Sequence, residues 1–577
     1  MPSIRRPRAD GASALALGVA IASGAVGCGT DLAAPKGNPS ETTEVRAPKR
    51  GGTLRMASFG DVRSLDPAVS PEALSLEVIG LVYAGLVDYD ADGRLVPDLA
   101  ARWEASDDGL GFRFFLREGV RFHDGDELDA DDVVRSVERA LHPTTPSPWS
   151  SFFESIDGFE DFTAHDAPHL RGVTAEGRYV VHFRLAKRDA TFLRVLALPA
   201  LRPVCASGGT RYEDTFAPCG AGPFRLSPGG WERGQRITLT RHDAYHVPGL
   251  PHLDAVQWSY GVNLLTQRFN FEAGDQDVLR DLTQPDLVRF RTDRRWSGLG
   301  AFDVERTVNG ESMNVEMPPF DSVHVRRAVA SAVDREHFRL LKPGAIRPAH
   351  QTLPEGVAEH DPTFVGQTTD LAAALAHMER AGLAFDPKTG KGGWPHPIPY
   401  YVYPQSFPLA SAQVLAQDLA RIGIRLDIRV VSYPAYLAIT HRRKAVAISP
   451  QGWTQDFPDA SDFFDSMFAS RAIHDEDTNN TSFYANPKLD ALLDAARGEL
   501  DGTKRRAAYA EANRIVCDDA PWAFTHGYRF YEVHQPYVRN WTVHRVWSHD
   551  PTRAFLDRDP AKTALLRLRS FFGGTAR

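Results

Sequence analysis

The residues able to do chemistry are scattered along this chain, and their spacing matches no catalytic template. The sequence holds no G-x-S-x-G, H-E-x-x-H, C-x-x-C, G-x-x-x-x-G-K-[ST] or G-x-G-x-x-G. Acyl transfer, zinc hydrolysis, dithiol exchange and phosphate cradling therefore lack the arrangements they use. His242, His246 and His252 lie close together but alternate with turn residues and share no face, which argues against a metal site. With 20 histidines and 74 carboxylates, chance neighbours in three dimensions are certain, so this absence removes support for catalysis without excluding it. No catalytic residue, metal ligand or cofactor is assigned. One acidic stretch stands apart, residues 451–465, QGWTQDFPDASDFFD. Asp459 precedes a helix expected over 461–468 and is placed to cap it; Asp456 either shares that role or serves another.

The elements that would position such residues are legible. Phe112, Phe114 and Leu116 alternate with Arg113, Phe115 and Arg117, the period of a half-buried strand. His123-Asp124-Gly125-Asp126 turns the chain, with Gly125 free to take positive φ. Asp129 caps the next helix with Asp132 three residues on, and Val133, Val134, Val137, Ala140 and Leu141 share one face before Pro143 ends the run. Further strands are expected over 53–57, 179–185, 236–241 and 425–431, and helices over 190–198, 409–419 and 503–518. Gly274 suits a helix C-cap, and an Asp-capped helix should bury Val325, Val329 and Val333. The helix at 409–419 leads through Gly423 into a strand, a unit of the α/β kind.

A chain of 577 residues holds two or three domains with ample core. Its 42% hydrophobic and 24% charged content is that of a globular protein, and a net charge of −8 argues against nucleic acid as partner. After the first thirty residues nothing approaches the ~20 apolar residues needed to span a bilayer. Before that point, Arg5, Arg6 and Arg8 precede an apolar run over 12–26 ending in Ala25-Val26-Gly27-Cys28, the form of a secretory signal peptide over 1–28. Residues 29–50 have the composition of a flexible tether. Export permits a disulfide between Cys205 and Cys219, which flank the irregular SGGTRYEDTFAP; the bond would be worth ~3 kcal/mol, and two separate thiols are the alternative. Cys517 should stay unpaired. The tail, 548–577, interleaves Leu565, Leu566, Leu568, Phe571 and Phe572 with Lys562, Arg567 and Arg569. A basic amphipathic helix of this kind either rests on anionic lipid or packs on the body.

The whole string from 96 to 141, with GGTLRMASFGDVRSLDPAVS at 51–70 and VYAGLVDYDADGRLVPDLA at 82–100, resembles extracytoplasmic solute-binding protein family 5, the peptide, dipeptide and nickel receptors of ABC importers. PPFDSVHVRRA at 318–328 and FEAGD at 271–275 continue the resemblance, while Tyr245-His246 departs from the usual Tyr-Trp. The resemblance implies an α/β, two-lobed periplasmic-binding-protein fold (type II, cluster C) with an extra inserted domain and a ligand cleft between the lobes. Lobe I would comprise 51–86, 206–308 and 525–547, the inserted domain 87–205, and lobe III 309–524. Cys28 resembles a lipidated bacterial lipobox cysteine, although Ala25 stands where leucine is usual.

The segment at 451–465 resembles the family's ligand motif, with Ala460 in place of its usual proline. Carried over, Asp456 pairs with the ligand's α-ammonium, Gly452 and Thr454 offer backbone contacts, and Trp453 lines a pocket. The implied function is that of a monomeric lipoprotein, anchored in the periplasm or cell envelope, that delivers peptides to an inner-membrane ABC permease and its ATPase. Same-fold receptors for a nickel chelate, an opine or an oligosaccharide remain open, as do a sensor uncoupled from transport and a secreted hydrolase.

Overall fold

The computed structural model describes residues 47–558 apart from 213–215 and 305. The signal peptide with Cys28, most of the tether, and the amphipathic end of the tail lie outside the described residues. Two bodies and an insertion are built around separate sheets. In the first body a four-stranded sheet runs in the order Thr53–Ala57, Ala255–Ser259, Arg236–Arg241, Phe224–Glu232. Its first pair is parallel, with Leu54 opposite Val256, and the rest is antiparallel. Period-two alternation puts Leu54, Met56, Ile237, Leu239, Val256 and Trp258 into one core. A three-stranded sheet of Val278–Leu279, Tyr531–His534 and Gly300–Phe302 lies beside it in the chain.

The insertion carries a four-stranded sheet, Ala100–Ala105, Gly111–Leu116, Val180–Arg184 and Val173–Ala175. Phe112, Phe114 and Leu116 are buried as their alternation requires. Phe115, on the other face, lies under the Arg102 guanidinium at 3.5 Å. Gly125 takes φ +99 in the turn that follows. Helix Ala130–Leu141 opens on a reciprocal capping box: the Asp129 carboxylate accepts the N–H groups of Asp131 and Asp132, and the Asp132 carboxylate accepts the N–H of Asp129. Its face of Val133, Val137, Ala140 and Leu141 is buried in the insertion's core.

The second body holds the four-stranded sheet Ile346–Pro348, Trp522–Tyr528, Thr307–Met313, Ile448–Thr454, in that order, so Ile448–Thr454 is an edge strand. A parallel pair, Ile398–Val402 and Leu426–Val430, is connected by helix Ser406–Ala420, with Gly423 at φ +78 in the return. The chain passes between the bodies twice, from Phe302 to Thr307 and from Tyr528 to Tyr531, and the crossings bond to each other. Asp303 N–H donates to the Phe530 carbonyl at 2.9 Å and Phe530 N–H to Asp303 Oδ1 at 2.7 Å.

Some local expectations differ from the structure and others agree with it. The helix bearing Val325 and Val329 is Val323–Ala332, and its N-cap is Ser322 with no side-chain cap bond; Asp321 turns its carboxylate onto the N–H of Ser322 instead. The division expected at 308/309 falls inside strand Thr307–Met313, and that at 524/525 inside Trp522–Tyr528. The start of the tail, 548–558, is joined to the body: Phe555–Leu556 pairs with Val538–Arg539 and Arg558 bonds Asp277 at 3.0 Å. Cys205 and Cys219 are joined by a disulfide with Cα atoms 5.4 Å apart, and Cys517 is free. The three histidines point apart: His242 Nδ1 lies 3.1 Å from the Gly222 carbonyl, His246 Nε2 lies 3.0 Å from Asp98, and His252 packs against Phe555.

Candidate ligand-binding site

The edge strand Ile448–Thr454 pairs on one side only, with Thr307–Met313. Trp453 stands opposite Val308 and Gly452 opposite Asn309. Two bonds fix the phase of this antiparallel ladder: Gln455 N–H donates to the Arg306 carbonyl, and Asn314 N–H to the Ala447 carbonyl, each at 2.9 Å. In such a ladder hydrogen-bonded pairs alternate with non-bonded ones. Odd-numbered residues of the edge strand therefore bond inward, and Gly452 and Thr454 turn N–H and C=O outward. Both are exposed. Pro450, the preceding outward residue, has no N–H, and its carbonyl accepts the Tyr436 hydroxyl. A Cβ at 452 would stand 2.3 Å from Asn309 Oδ1, so a larger residue there would have to push that side-chain amide aside. The result is a short main-chain edge with two donors and two acceptors, able to pair with any extended backbone regardless of its side chains.

Two carboxylates close this edge. Asp459 is the N-cap of helix Ala460–Met467, accepting the N–H and Oγ–H of Ser461. It is the capping residue, which leaves Asp456 free of that role. Among the described residues the Asp456 carboxylate has no hydrogen-bond or ion-pair partner, and burial pushes its carboxyl up to about 7. Asp456 is only partly buried, but a carboxylate even partly withdrawn from water without a cation is destabilised in its charged form, and an incoming ammonium would restore that form.

Asp462, on the first turn of the same helix, escaped the sequence reading. It is buried, and its Oδ2 accepts the Asp456 N–H at 2.9 Å and Trp453 Nε1–H at 3.2 Å. Burial, then the neighbouring Asp456 charge, raises its carboxyl well above the usual range. The Trp453 ring is half-buried, packed against the cluster of Phe463, Phe464 and Trp522. A cavity of about 740 Å³ lies between the insertion and the second body, lined by Tyr89, Arg94, Arg194, His360, Gln455 and Pro458. Gly452, Trp453, Thr454 and Asp456 are not part of its lining. The only cluster of metal-ligating groups among the described residues is Asp124, Cys205 and Cys219, and there the disulfide removes both thiolates. No described helix is long and apolar enough to cross a membrane.

Comparison with known proteins agrees with this architecture. The family of bacterial extracellular solute-binding proteins, family 5 (middle region), matches residues 94–475. The probable deoxycholate-binding periplasmic protein YgiS of Escherichia coli K12 is 26% identical over 510 residues, covering 85% of this chain and 91% of that protein. The dipeptide-binding protein of the same organism is 25% identical over 528 residues, covering 88% and 95%. Among solved structures, clavulanic acid biosynthesis oligopeptide binding protein 2 superposes with a TM-score of 0.79 at 24% identity, covering 88% of this chain and 96% of that one. The two bodies are the lobes of a two-lobed periplasmic-binding-protein fold, and proteins of this kind bind ligands and are not enzymes. The chain belongs to the bacterial extracellular solute-binding proteins of family 5.

Proposed function

We propose that the chain is the substrate-binding lipoprotein of an ABC importer, capturing di- or oligopeptides between its lobes and handing them to a membrane permease and its ATPase. The observation that carries this reading is the outward main chain of Gly452 and Thr454 beside the partnerless carboxylate of Asp456. Main-chain pairing reads a peptide without regard to sequence, and one partly buried, partnerless acid fixes which end enters first. Trp453 forms the wall behind that edge. The relatives' names point to both peptide and bile-acid ligands, so the edge geometry of this chain favours the peptide.

In this reading lobe I consists of the first body, the inserted domain spans 87–205, and the second body is lobe III. The lipid on Cys28 anchors a monomer at the cell envelope. Calorimetry with tri-alanine and N-acetyl-tri-alanine tests the reading. The free amine should bind about thirtyfold or more tightly than the acetylated form, since a desolvated charge pair is worth 2–5 kcal/mol when broken. The preference should fade as pH falls through about 7, where Asp456 takes up its proton. Equal binding of the two peptides would exclude Asp456 as the amine site.

A further inference from the structure

The turn that bears Asp456 is also the place where the insertion grips the second lobe. Phe457 is 2% exposed, belongs to the insertion's core, and meets Phe152 edge-to-face at 5.5 Å. Two residues on, fully buried Asp459 pairs with Arg194, which stands on the insertion's helix Phe192–Leu196. Arg194 also lies 3.8 Å from Glu359. Arg505, on helix Gly502–Asp519, holds the same two acids from the other side, at 3.0 Å from Glu359 and 2.5 Å from Asp459. Two cations thus balance two acids in a cluster shared between insertion and lobe, buried except on the side of Arg194, whose side chain is 34% exposed. A second contact flanks it, where Arg497 pairs with Glu154 of the insertion and with Asp465, both at 2.7 Å, and its carbonyl accepts the Ala190 N–H.

Parting these surfaces would strip Arg194 from Asp459 and Glu359, leaving two buried carboxylates on the single Arg505, and would expose Phe457 to water. Both changes are unfavourable. Within four residues the chain therefore carries a free carboxylate, an aromatic knob seated in the insertion, and the acid of an inter-domain ion cluster. Neither composition nor spacing shows this, because the partners come from 152, 194, 359 and 505.

We propose that Arg194 is a positioning residue for ligand capture: through Asp459 and Glu359 it clamps the insertion onto the 456–459 turn and so holds Asp456 at the end of the edge strand. The clamp stands on its own contacts; its bearing on ligand rests on the assignment of Asp456 as the ligand acid. Loosening the clamp speeds ligand release without changing which chemical group the site prefers.

The test uses the full chain with Arg194→Gln, Arg194→Lys and, as a milder probe from the other side, Glu359→Gln. In ligand-free protein, hydrogen exchange over 456–467 should quicken about tenfold in Arg194→Gln, as expected for a partly exposed cation leaving a buried cluster, while strand Gly111–Leu116 keeps its protection. Arg194→Lys should restore most of the protection, and Glu359→Gln should fall between. Tri-alanine release should quicken by a similar factor with the free-to-acetylated preference intact. Unchanged exchange over 456–467, or a lysine variant as loose as the glutamine one, would overturn the clamp. Faster exchange with unaltered tri-alanine release would leave a purely structural contact and overturn the positioning role. A wild type that binds free and acetylated peptide alike would overturn the ligand assignment and the positioning role together, with the exchange result still deciding the clamp.

Discussion

Asp66 and Asp277 in the first body and Asp456, Asp462 and Glu311 in the second are treated in opposite ways. The first two are surrounded by donors. Asp66, with a side chain 4% exposed, takes a two-pronged bond from Arg139 at 3.0 and 2.6 Å, which ties the insertion's capped helix to the SLDP turn. Asp277 is fully buried and accepts from Arg55, Tyr537 and Arg558. In the second body, among the described residues, the Asp456 carboxylate has no partner, Asp462 is bonded through one oxygen, and Glu311 has only the Tyr400 hydroxyl at 2.7 Å. Burial pushes Glu311 up to about 7, as it does Asp456. A satisfied buried acid holds structure together, whereas an unsatisfied one is a standing demand for a cation. The unsatisfied acids gather around the edge strand, since Glu311 pairs in register with Pro450.

The sharpest way to break this contrast is to remove a partner in lobe I. Arg139→Ala should lower the unfolding free energy in urea by about 3–5 kcal/mol, because it leaves Asp66 buried and unpaired. A loss of only a few tenths would mean that Asp66 gains water as readily as a surface acid. The reverse change in lobe III acts on binding. Asp456→Ala should weaken tri-alanine about thirtyfold or more by calorimetry while leaving the acetylated peptide nearly unaffected. The disulfide sits on the satisfied side of the comparison. Its reduction should cost about 3 kcal/mol, read as a lower thermal midpoint in Cys219→Ser.

A further test separates the two classes by pH. Asp456 and Glu311 have folded values of about 7, above the carboxylate values near 4 expected when unfolded. The stability these protonated groups contribute is fully present below about 4 and is lost as pH rises through about 7. Asp456→Asn and Glu311→Gln should therefore match the wild type at pH 4 and gain a higher thermal midpoint progressively up to pH 7, with no further gain above. A pH-independent difference would show that neither acid is strained by burial. The same Asp456→Asn should bind free-amine peptide poorly, so stability and affinity would move in opposite directions.

Local rules carried far in this chain wherever the deciding atoms are sequence neighbours. Alternation at 112–116, the turn glycine at 125 and the Asp129 and Asp132 capping box were legible because each bond closes within a few residues. Gly274 and Gly423 behave likewise, taking φ +78 at a helix end and at a helix-to-strand return. Where a competing partner stood nearby, local rules failed. Asp321 was expected to cap the helix at 323, yet its carboxylate satisfies the very next N–H and leaves the helix start without a side-chain cap. The bounds at 308/309 and 524/525 fall within strands, because strands continue for as long as they have a partner, and their partners are more than a hundred residues away.

By itself, then, the sequence determined the local elements, the glycine conformations and the acidic segment in which a ligand group would be sought. The tertiary structure decided which of those acids is available. Whether Gly452 and Thr454 face outward depends on the phase of a ladder set by Arg306 and Asn314, and whether Asp459 is engaged depends on Arg194 and Arg505. Those partners lie too far along the chain for any periodicity to encode, because hydrogen-bond phase and charge pairing are properties of surfaces brought together only when the domains pack.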